Sequence, residues 1–209
     1  LAACHVVAAK NLIKAHTLAT CLTLEVLKAK IMPFHPAAHR QKPHPGQIRI
    51  ADAIYTTLAD SKMIVQDRQV EAWLRKMARD EPRGLDEQIE DAYSIRATPQ
   101  VLGPVLDTTL FVEQTVTTEL NSSNDNPLIV VEEGEAIHNA NFHGQYISNA
   151  MDQLAIVLVT LCNLSERRNN RLLHPSLNGD LPPFLCARNP GMSQGLMGGQ
   201  FMATSLTAE

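Results

Sequence analysis

The sequence predicts an all-α protein, a bundle of long helices with at most one short two-stranded hairpin. Apolar residues recur at helical spacing from Leu1 to Lys30, which is typical of a helix with one buried face. No proline occurs from Gly144 to His174, and the middle of that stretch, Leu154 to Leu164, is apolar nearly all round. A helix that is apolar on every face must be surrounded by other helices, so we expect this one at the centre of the bundle.

The first half of the chain predicts a helix, a rigid loop and a second helix. The helix from Leu1 to Lys30 is followed by "MPFHPAAHRQKPHPGQ", whose four prolines break the pattern, and a helix from about Ile48 to Leu58 comes next. Residues 61–92 hold 14 of the 40 charged side chains. This composition indicates a solvated arm of short helices, and we expect the arm to be less ordered than the helices beside it.

The second half predicts two more helices around a hairpin. One helix is expected from Pro104 to Leu120, because proline suits a first helical turn. "NSSNDNP" then ends it, since Asn, Ser and Asp side chains bond their own backbone. A short hairpin is expected around Glu133-Gly134, ahead of the apolar helix. The closing run "GLMGGQFMATSLTAE" is small, apolar and helix-prone.

Both ends of the sequence lie inside predicted helices. No capping residue precedes Leu1, and no Gly, Asn or Pro closes the run that reaches Glu209. The first residues also lack the basic region that opens a signal peptide. We therefore expect residues 1–209 to be the central helical segment of a single larger domain.

Composition excludes several classes of partner. A net charge of -4, with no basic run longer than Arg167-Arg168, gives no positive surface for a phosphate backbone, so nucleic acid is not an expected partner. The apolar middle of the long helix is shorter than the roughly 20 residues of a membrane span, so no membrane is expected. The four cysteines lie far apart without a CxxC pair and suggest reduced thiols of a cytoplasmic protein.

Metal and nucleotide sites lack their usual motifs. Two groups of residues were weighed as metal ligands: His35, His39 and His44, and Glu135, His138 and His143. Their spacing matches no continuous metal-binding helix, and we interpret them as packed or hydrogen-bonded loop residues, so no metal is predicted. The sequence also has no GxSxG, P-loop or GxGxxG.

"EDAYSIR" carries the most specific chemistry. Tyr93 and Arg96 lie three residues apart on one helical face, which places a phenol beside a guanidinium that can grip a carboxylate at two points. The pair suits an anion that resembles an amino acid. From spacing alone, pairing of Arg96 with Glu90 or Asp91 while Tyr93 only packs is the favoured alternative.

Six motifs stand in the order and approximate spacing of one enzyme family: "KPHPGQ", "DAYSIRATPQVLGP", "ELNSSNDNPLIV", "HNANFHGQYISNAMD", "SERRNNRLL" and "LPPFLC". Through them, essentially the whole chain resembles the aromatic amino acid ammonia-lyases and 2,3-aminomutases, which act on histidine, phenylalanine or tyrosine. The motifs "NANFHGQY", "LPPFLC" and "GLMGGQFM" most resemble those of the bacterial phenylalanine and tyrosine aminomutases and their lyase relatives.

The resemblance implies a homotetramer of long helices whose active sites combine residues of several chains. It also implies a 4-methylidene-imidazol-5-one (MIO) prosthetic group. On this basis Tyr93 is a catalytic residue near MIO and the substrate amine, and Arg96 binds the substrate carboxylate. Phe142 packs beside the prosthetic ring, and Glu90 lines the site at a position where many relatives have glutamine. Because position 90 is a carboxylate here, the resemblance does not determine whether Glu90 is protonated or which group it contacts.

The MIO group forms when an Ala-Ser-Gly segment cyclises, and none of the ten glycines of this chain follows a serine. We therefore expect the MIO-forming part upstream of Leu1, together with the tyrosine that removes a β-proton, and a further part of the family downstream of Glu209. The chain alone is expected to be inactive.

The reaction implied for the intact enzyme is elimination of ammonia from an aromatic α-amino acid through the MIO electrophile, which gives an arylacrylate. Return of the amine at the β-carbon would give a β-amino acid, and both outcomes fit these residues. A second hypothesis is a non-catalytic helical oligomerisation core, either truncated or degenerate. A fumarase-type lyase is a more distant third. An upstream Ala-Ser-Gly would favour the enzyme over the scaffold.

Overall fold

The computed structural model of the chain describes residues 1–66, 90–189 and 191–209. Most of the predicted charged arm, residues 67–89, lies outside the described residues, so its lower order stays a prediction. The helices are α1 (Ala2–Val26), α2 (Pro36–Arg40), α3 (Pro45–Leu58), α4 (Tyr93–Arg96), α5 (Thr98–Leu120), α6 (Gln145–Leu173) and α7 (Met197–Ala208). Two 3₁₀ turns cover Met32–Phe34 and Pro183–Leu185.

Strands form a single small hairpin in the described part of the chain. Strand β1 (Leu128–Val130) runs antiparallel to β2 (Glu135–Ile137), and Leu128 lies opposite Ile137. Outside this hairpin an isolated bridge joins Lys30 to Val65. The prediction of an all-α fold with at most two strands is confirmed.

The core lies where α1, α3, α5 and α6 meet. The larger apolar cluster includes Leu24 of α1, Phe34 of the first 3₁₀ turn, Ile54 of α3, Leu102 of α5 and Leu161 of α6. A second cluster continues along α1, α5 and α6 and is formed by Val6, Ala9, Val112, Val116, Ala150 and Leu154. Helix α5 therefore forms the middle of the core, with α1, α3 and α6 around it.

The "KPHPGQ" motif has a packing role at the start of α3. Pro45 occupies the first turn, where a missing N–H costs little. At Gly46 the backbone of α3 approaches α5 so closely that a Cβ there would lie 2.3 Å from the carbonyl oxygen of Gly103. Gln47 is buried and its amide contacts His39 Nδ1 at 3.0 Å. The motif thus sets the contact between α3 and α5.

His39, one of the histidines weighed as a metal ligand, is a packed residue. Its Nε2 lies 3.0 Å from the carbonyl oxygen of Pro33 and its Nδ1 faces Gln47, so both ring nitrogens have protein partners. His35 accepts a hydrogen bond from the Ala37 amide and packs edge-on against Tyr55. In the described residues no three His, Cys, Asp or Glu side chains group as metal ligands.

Two predicted helix boundaries are wrong. Helix α5 begins at Thr98 and not at Pro104, because Pro99 takes the first turn and Pro104 lies inside the helix. The carbonyl of Gln100 loses its partner at Pro104, but Gln100 is exposed and water can bond it. Helix α1 ends at Val26 rather than Lys30, because Lys28 adopts a positive φ of 51°.

Helix α6 runs without a break through Leu154 to Leu164, as predicted. Among the described residues other helices cover one side of it: Leu154, Leu161 and Leu164 are buried, whereas Ile156 is 68% exposed and Val159 is 49% exposed. Packing of helices on every side stays a prediction. By length and composition alone α6 could cross a membrane, a test that the core helix of a soluble protein also passes. Its outer apolar face needs a cover that these residues do not supply.

Candidate active site

The turn α4 presents Tyr93 and Arg96 at the surface because Ile95 is anchored between them. Ile95 is buried in the larger apolar cluster. The Thr98 hydroxyl, also buried, donates to the Ile95 carbonyl at 2.7 Å. The residue before the turn, Ala92, is extended, so the chain enters α4 sharply. Ile95 therefore fixes a turn on which Tyr93 is exposed and Arg96 is partly buried.

Tyr93 and Arg96 lie side by side, as their spacing predicts. The guanidinium carbon of Arg96 lies 4.6 Å from the centroid of the Tyr93 ring, a cation–π distance. Tyr93 is 74% exposed, so the ring contacts Arg96 and otherwise faces solvent. The phenol is therefore accessible to a ligand.

The alternative pairing with an acid is present as well. Arg96 Nη1 lies 2.5 Å from Glu90 Oε2, whereas Asp91 accepts a hydrogen bond from the backbone N–H of Lys30 at 2.7 Å. The Glu90 side chain is 61% exposed, and ion pairs this open to water contribute little to stability. Arg96 Nε is buried and has no hydrogen-bond partner in the described residues. A ligand carboxylate would compete with Glu90 for Nη1, because Nε is closed off from solvent.

A cleft of about 560 Å³ opens beside Tyr93. Val101 of α5 and Leu164 of α6 form apolar wall, and Arg171 of α6 supplies positive charge. Arg167 also lines the cleft but is paired with Glu166. A volume of this size accommodates a small organic ligand. Tyr93 is the side chain that links this cleft to Arg96.

The structure does not bring Phe142 to this turn. Phe142 lies in the loop between β2 and α6 and is 62% exposed. Across the described residues no hydrogen bond, ion pair or ring contact joins it to Tyr93 or Arg96. Its predicted place beside a prosthetic ring remains a prediction.

Sequence reasoning missed a buried polar cluster behind α4. Arg168 of α6 is 4% exposed and bonds His16 and Thr20 of α1, the Ser94 carbonyl and the Thr98 hydroxyl. A signal was available, because Arg168 follows the buried Leu161 and Leu164 at helical spacing and so lies on the same face.

His16 is held neutral in this cluster. Arg168 Nη2 lies 3.5 Å from its Nδ1, which places the ring proton on Nε2. Burial, with a contribution from the Arg168 charge, lowers the pKa of His16 from 6.5 to about 4. Burial also lowers the pKa of Arg168 to about 10, so the guanidinium stays charged at neutral pH.

We expect acid to destabilise the fold through His16. The folded pKa lies below the unfolded one, so the unfolded chain binds the proton first as the pH falls. The stability that neutral His16 provides is complete above pH 6.5 and is lost progressively down to about pH 4. His16→Asn keeps an acceptor for Arg168 but does not titrate, so its Tm should fall less steeply across this range. Equal slopes for the variant and the wild type would show that His16 is not the titrating group.

Comparison with known proteins gives one consistent result. Residues 1–209 match the family described as aromatic amino acid lyase. The chain is 52% identical to the phenylalanine aminomutase of Pantoea agglomerans, with a TM-score of 0.88 over 95% of this chain and 39% of that one. It is 47% identical over 190 residues to a tyrosine ammonia-lyase of Cupriavidus metallidurans, which covers 90% of this chain and 36% of that protein.

A third relative carries the prosthetic group in its name. The MIO-dependent tyrosine 2,3-aminomutase of Streptomyces globisporus is 39% identical over 196 residues, which is 91% of this chain and 36% of that protein. The chain thus spans less than two fifths of the length of each of these relatives.

Proposed function

This chain belongs to the aromatic amino acid lyase family, and from that premise we propose that it is the central segment of an enzyme acting on phenylalanine or tyrosine. The reaction is elimination of ammonia to give an arylacrylate. The observation that carries the proposal is the contact between the exposed Tyr93 ring, which lines an open cleft, and the Arg96 guanidinium. Relatives named as lyases and aminomutases of these amino acids support it.

Arg96 is proposed to hold the substrate carboxylate. Its planar guanidinium can bond both carboxylate oxygens, which fixes the orientation of the amino acid and not only its charge. Glu90 occupies Nη1 in the free chain, so binding exchanges one carboxylate for another at the same donor. Such orientation raises the reaction rate many-fold, because the entropy cost of aligning the reacting atoms is met on binding.

Tyr93 and Phe142 are proposed to face the MIO group. When present, that group supplies an electrophile for the substrate amine. The exposed phenol of Tyr93 and the exposed ring of Phe142 are free to meet a group that comes from outside this chain, which fits this role. The chain has no Ala-Ser-Gly of its own, so the group has to come from elsewhere in the enzyme. The Tyr93 hydroxyl is proposed to hydrogen-bond the substrate amine, and the Arg96 guanidinium beside its ring supports this role.

A cytoplasmic homotetramer is proposed as the working assembly. Large apolar side chains stand exposed along two helices: Val7, Leu18 and Leu22 on α1, and Ile156 and Val159 on α6. Exposed apolar surface of this kind is typical of a protein interface. Association would cover α6 on the side that this chain leaves open and would bring residues such as Phe142 to a site shared between chains.

The test of function is turnover by the intact protein. Purified protein incubated with phenylalanine or tyrosine should form cinnamate or coumarate, followed by ultraviolet absorbance, and chiral chromatography of the same samples would detect a β-amino acid. Formation of neither product by a folded oligomer would favour the non-catalytic oligomerisation core.

Experiments on the isolated 209-residue chain should distinguish catalytic activity from the ability to associate. We expect no ultraviolet signature of MIO and no deamination, because the cyclising tripeptide is missing, yet light scattering should show association through the exposed apolar faces. Arylacrylate formation by the isolated chain would contradict the account of where the electrophile originates. A stable monomer would contradict the proposed interface.

A further inference from the structure

The turn that carries Tyr93 and Arg96 cannot hold its own shape. Helix α4 has four residues, and an isolated turn of this length is far below what a stable helix requires. Its amides at Ile95, Arg96 and Ala97 bond carbonyls of the turn and of Ala92, the residue before it. Whatever fixes the direction of the two functional side chains must therefore act from behind the turn.

Arg168 reaches the turn from the opposite side. Its Nε donates to the Ser94 carbonyl at 3.0 Å, between the two functional residues, and its Nη2 contacts the Thr98 hydroxyl at 3.4 Å. Thr98 in turn donates to the Ile95 carbonyl. Arg168 thus contacts the backbone of the turn directly and also through Thr98.

The same guanidinium is fixed on its other side by α1. Its Nη1 donates to the Thr20 hydroxyl at 2.6 Å, and Nη2 lies 3.5 Å from His16 Nδ1. One side chain therefore ties three elements together: α6, α1 and the turn α4. A lysine ammonium has no planar fork and cannot donate to acceptors that lie in these separate directions.

Among the described residues no acidic side chain pairs with Arg168. Its partners in the described residues are a carbonyl, two hydroxyls and a neutral imidazole, and it is almost fully buried. Burying a charge without an ion pair costs free energy, whereas an apolar residue would fill the same space at less cost. Its geometry, rather than stability, is therefore the reason we assign to it.

We propose that Arg168 is a positioning residue that fixes the Tyr93–Arg96 turn from behind, so that the phenol and the guanidinium face one substrate. The inference rests on the proposed function for its catalytic consequence, but the anchoring itself concerns only this chain. Arg168 acts through the Ser94 carbonyl and does not touch the substrate.

Hydrogen exchange tests the anchor without reference to activity. In the intact protein, Arg168→Lys should lower protection of the Ile95, Arg96 and Ala97 amides by at least about tenfold, while the centre of α5 keeps its protection. Arg49→Lys, the same change at an exposed position of α3, is the matched control and should alter neither region. Thr20→Val removes one acceptor of Arg168 and should shift the same amides in the same direction if Arg168→Lys fails to fold.

A double-mutant cycle tests the catalytic consequence. Arg168→Lys should lower kcat/KM by at least about tenfold, and Arg96→Lys should then cost several-fold less in that background than in the wild type, since both act on the same grip. A residue that only stabilised the fold would give independent, additive losses.

The two experiments separate the two hypotheses. If wild-type protein forms no arylacrylate or β-amino acid, the proposed function fails, and the exchange data still decide whether Arg168 anchors the turn. If the wild type is active and Arg168→Lys leaves both the exchange of these amides and kcat/KM unchanged, the positioning role is wrong.

Discussion

Arg96→Lys in the intact enzyme is expected to lower kcat/KM by at least tenfold, about 1.4 kcal/mol of transition-state binding, with little change in Tm. Lysine keeps the positive charge but offers a point donor, so it cannot reproduce the planar two-point grip on a carboxylate. Stability should change little because lysine keeps the charge that pairs with Glu90, whose side chain is 61% exposed. Kinetics and thermal unfolding are to be measured on the same preparations.

Tyr93→Phe is the companion variant, since it removes only the hydroxyl. The ring keeps its contact with the Arg96 guanidinium, so the fold should be preserved while activity is lost. Loss of activity with an unchanged Tm would place the hydroxyl in the chemistry.

Glu90→Gln distinguishes a substrate-binding Arg96 from one that only pairs with Glu90. If Arg96 binds substrate, removing the competing carboxylate should lower KM, the opposite of the effect of Arg96→Lys. If Arg96→Lys unfolds early while the surviving folded protein turns over normally, Arg96 is a structural partner of Glu90 and the assigned role is wrong.

Gly103→Ala is expected to destabilise the protein by at least about 2 kcal/mol. An added Cβ would lie 2.6 Å from the backbone nitrogen of Gln47 and 2.7 Å from its Cα. These are main-chain atoms of α3, so relief requires moving one helix against the other rather than rotating a side chain. Differential scanning calorimetry at a fixed scan rate measures the effect.

Gly198→Ala is the matched control for this change. Gly198 lies in α7 and an added Cβ there meets nothing within 4 Å, so alanine should stabilise the helix by roughly 0.5–1 kcal/mol. Gly103→Ala with a Tm equal to that of the wild type would contradict the close approach of α3 and α5.

The sequence alone predicted the long helices and the hairpin, and its motifs resembled the family that the comparisons show. Periodicity and proline-free length located α1 and α6, because a buried face repeats at helical spacing whatever it packs against. The Asn- and Ser-rich break and the Glu133-Gly134 turn located the hairpin, since these residues dictate local backbone geometry. The pairing of Tyr93 with Arg96 also followed from spacing, because residues three apart share a face.

The tertiary structure decided the features that depend on residues distant in the sequence. Helix α5 begins at Thr98 rather than at the predicted Pro104, because Pro99 occupies its first turn. Pro104 leaves the Gln100 carbonyl without a helical partner, and water can bond it because Gln100 is exposed. The choice of Glu90 over Asp91 as the partner of Arg96 was made by the Lys30 amide, 61 residues from Asp91. Arg168 acquired its role in the same way, because its partners come from α1 and from the turn, 70 or more residues away in sequence. Local preference fixes the period of a helix, but burial and hydrogen-bond partners across the chain are properties of packing, and only the packed structure contains them.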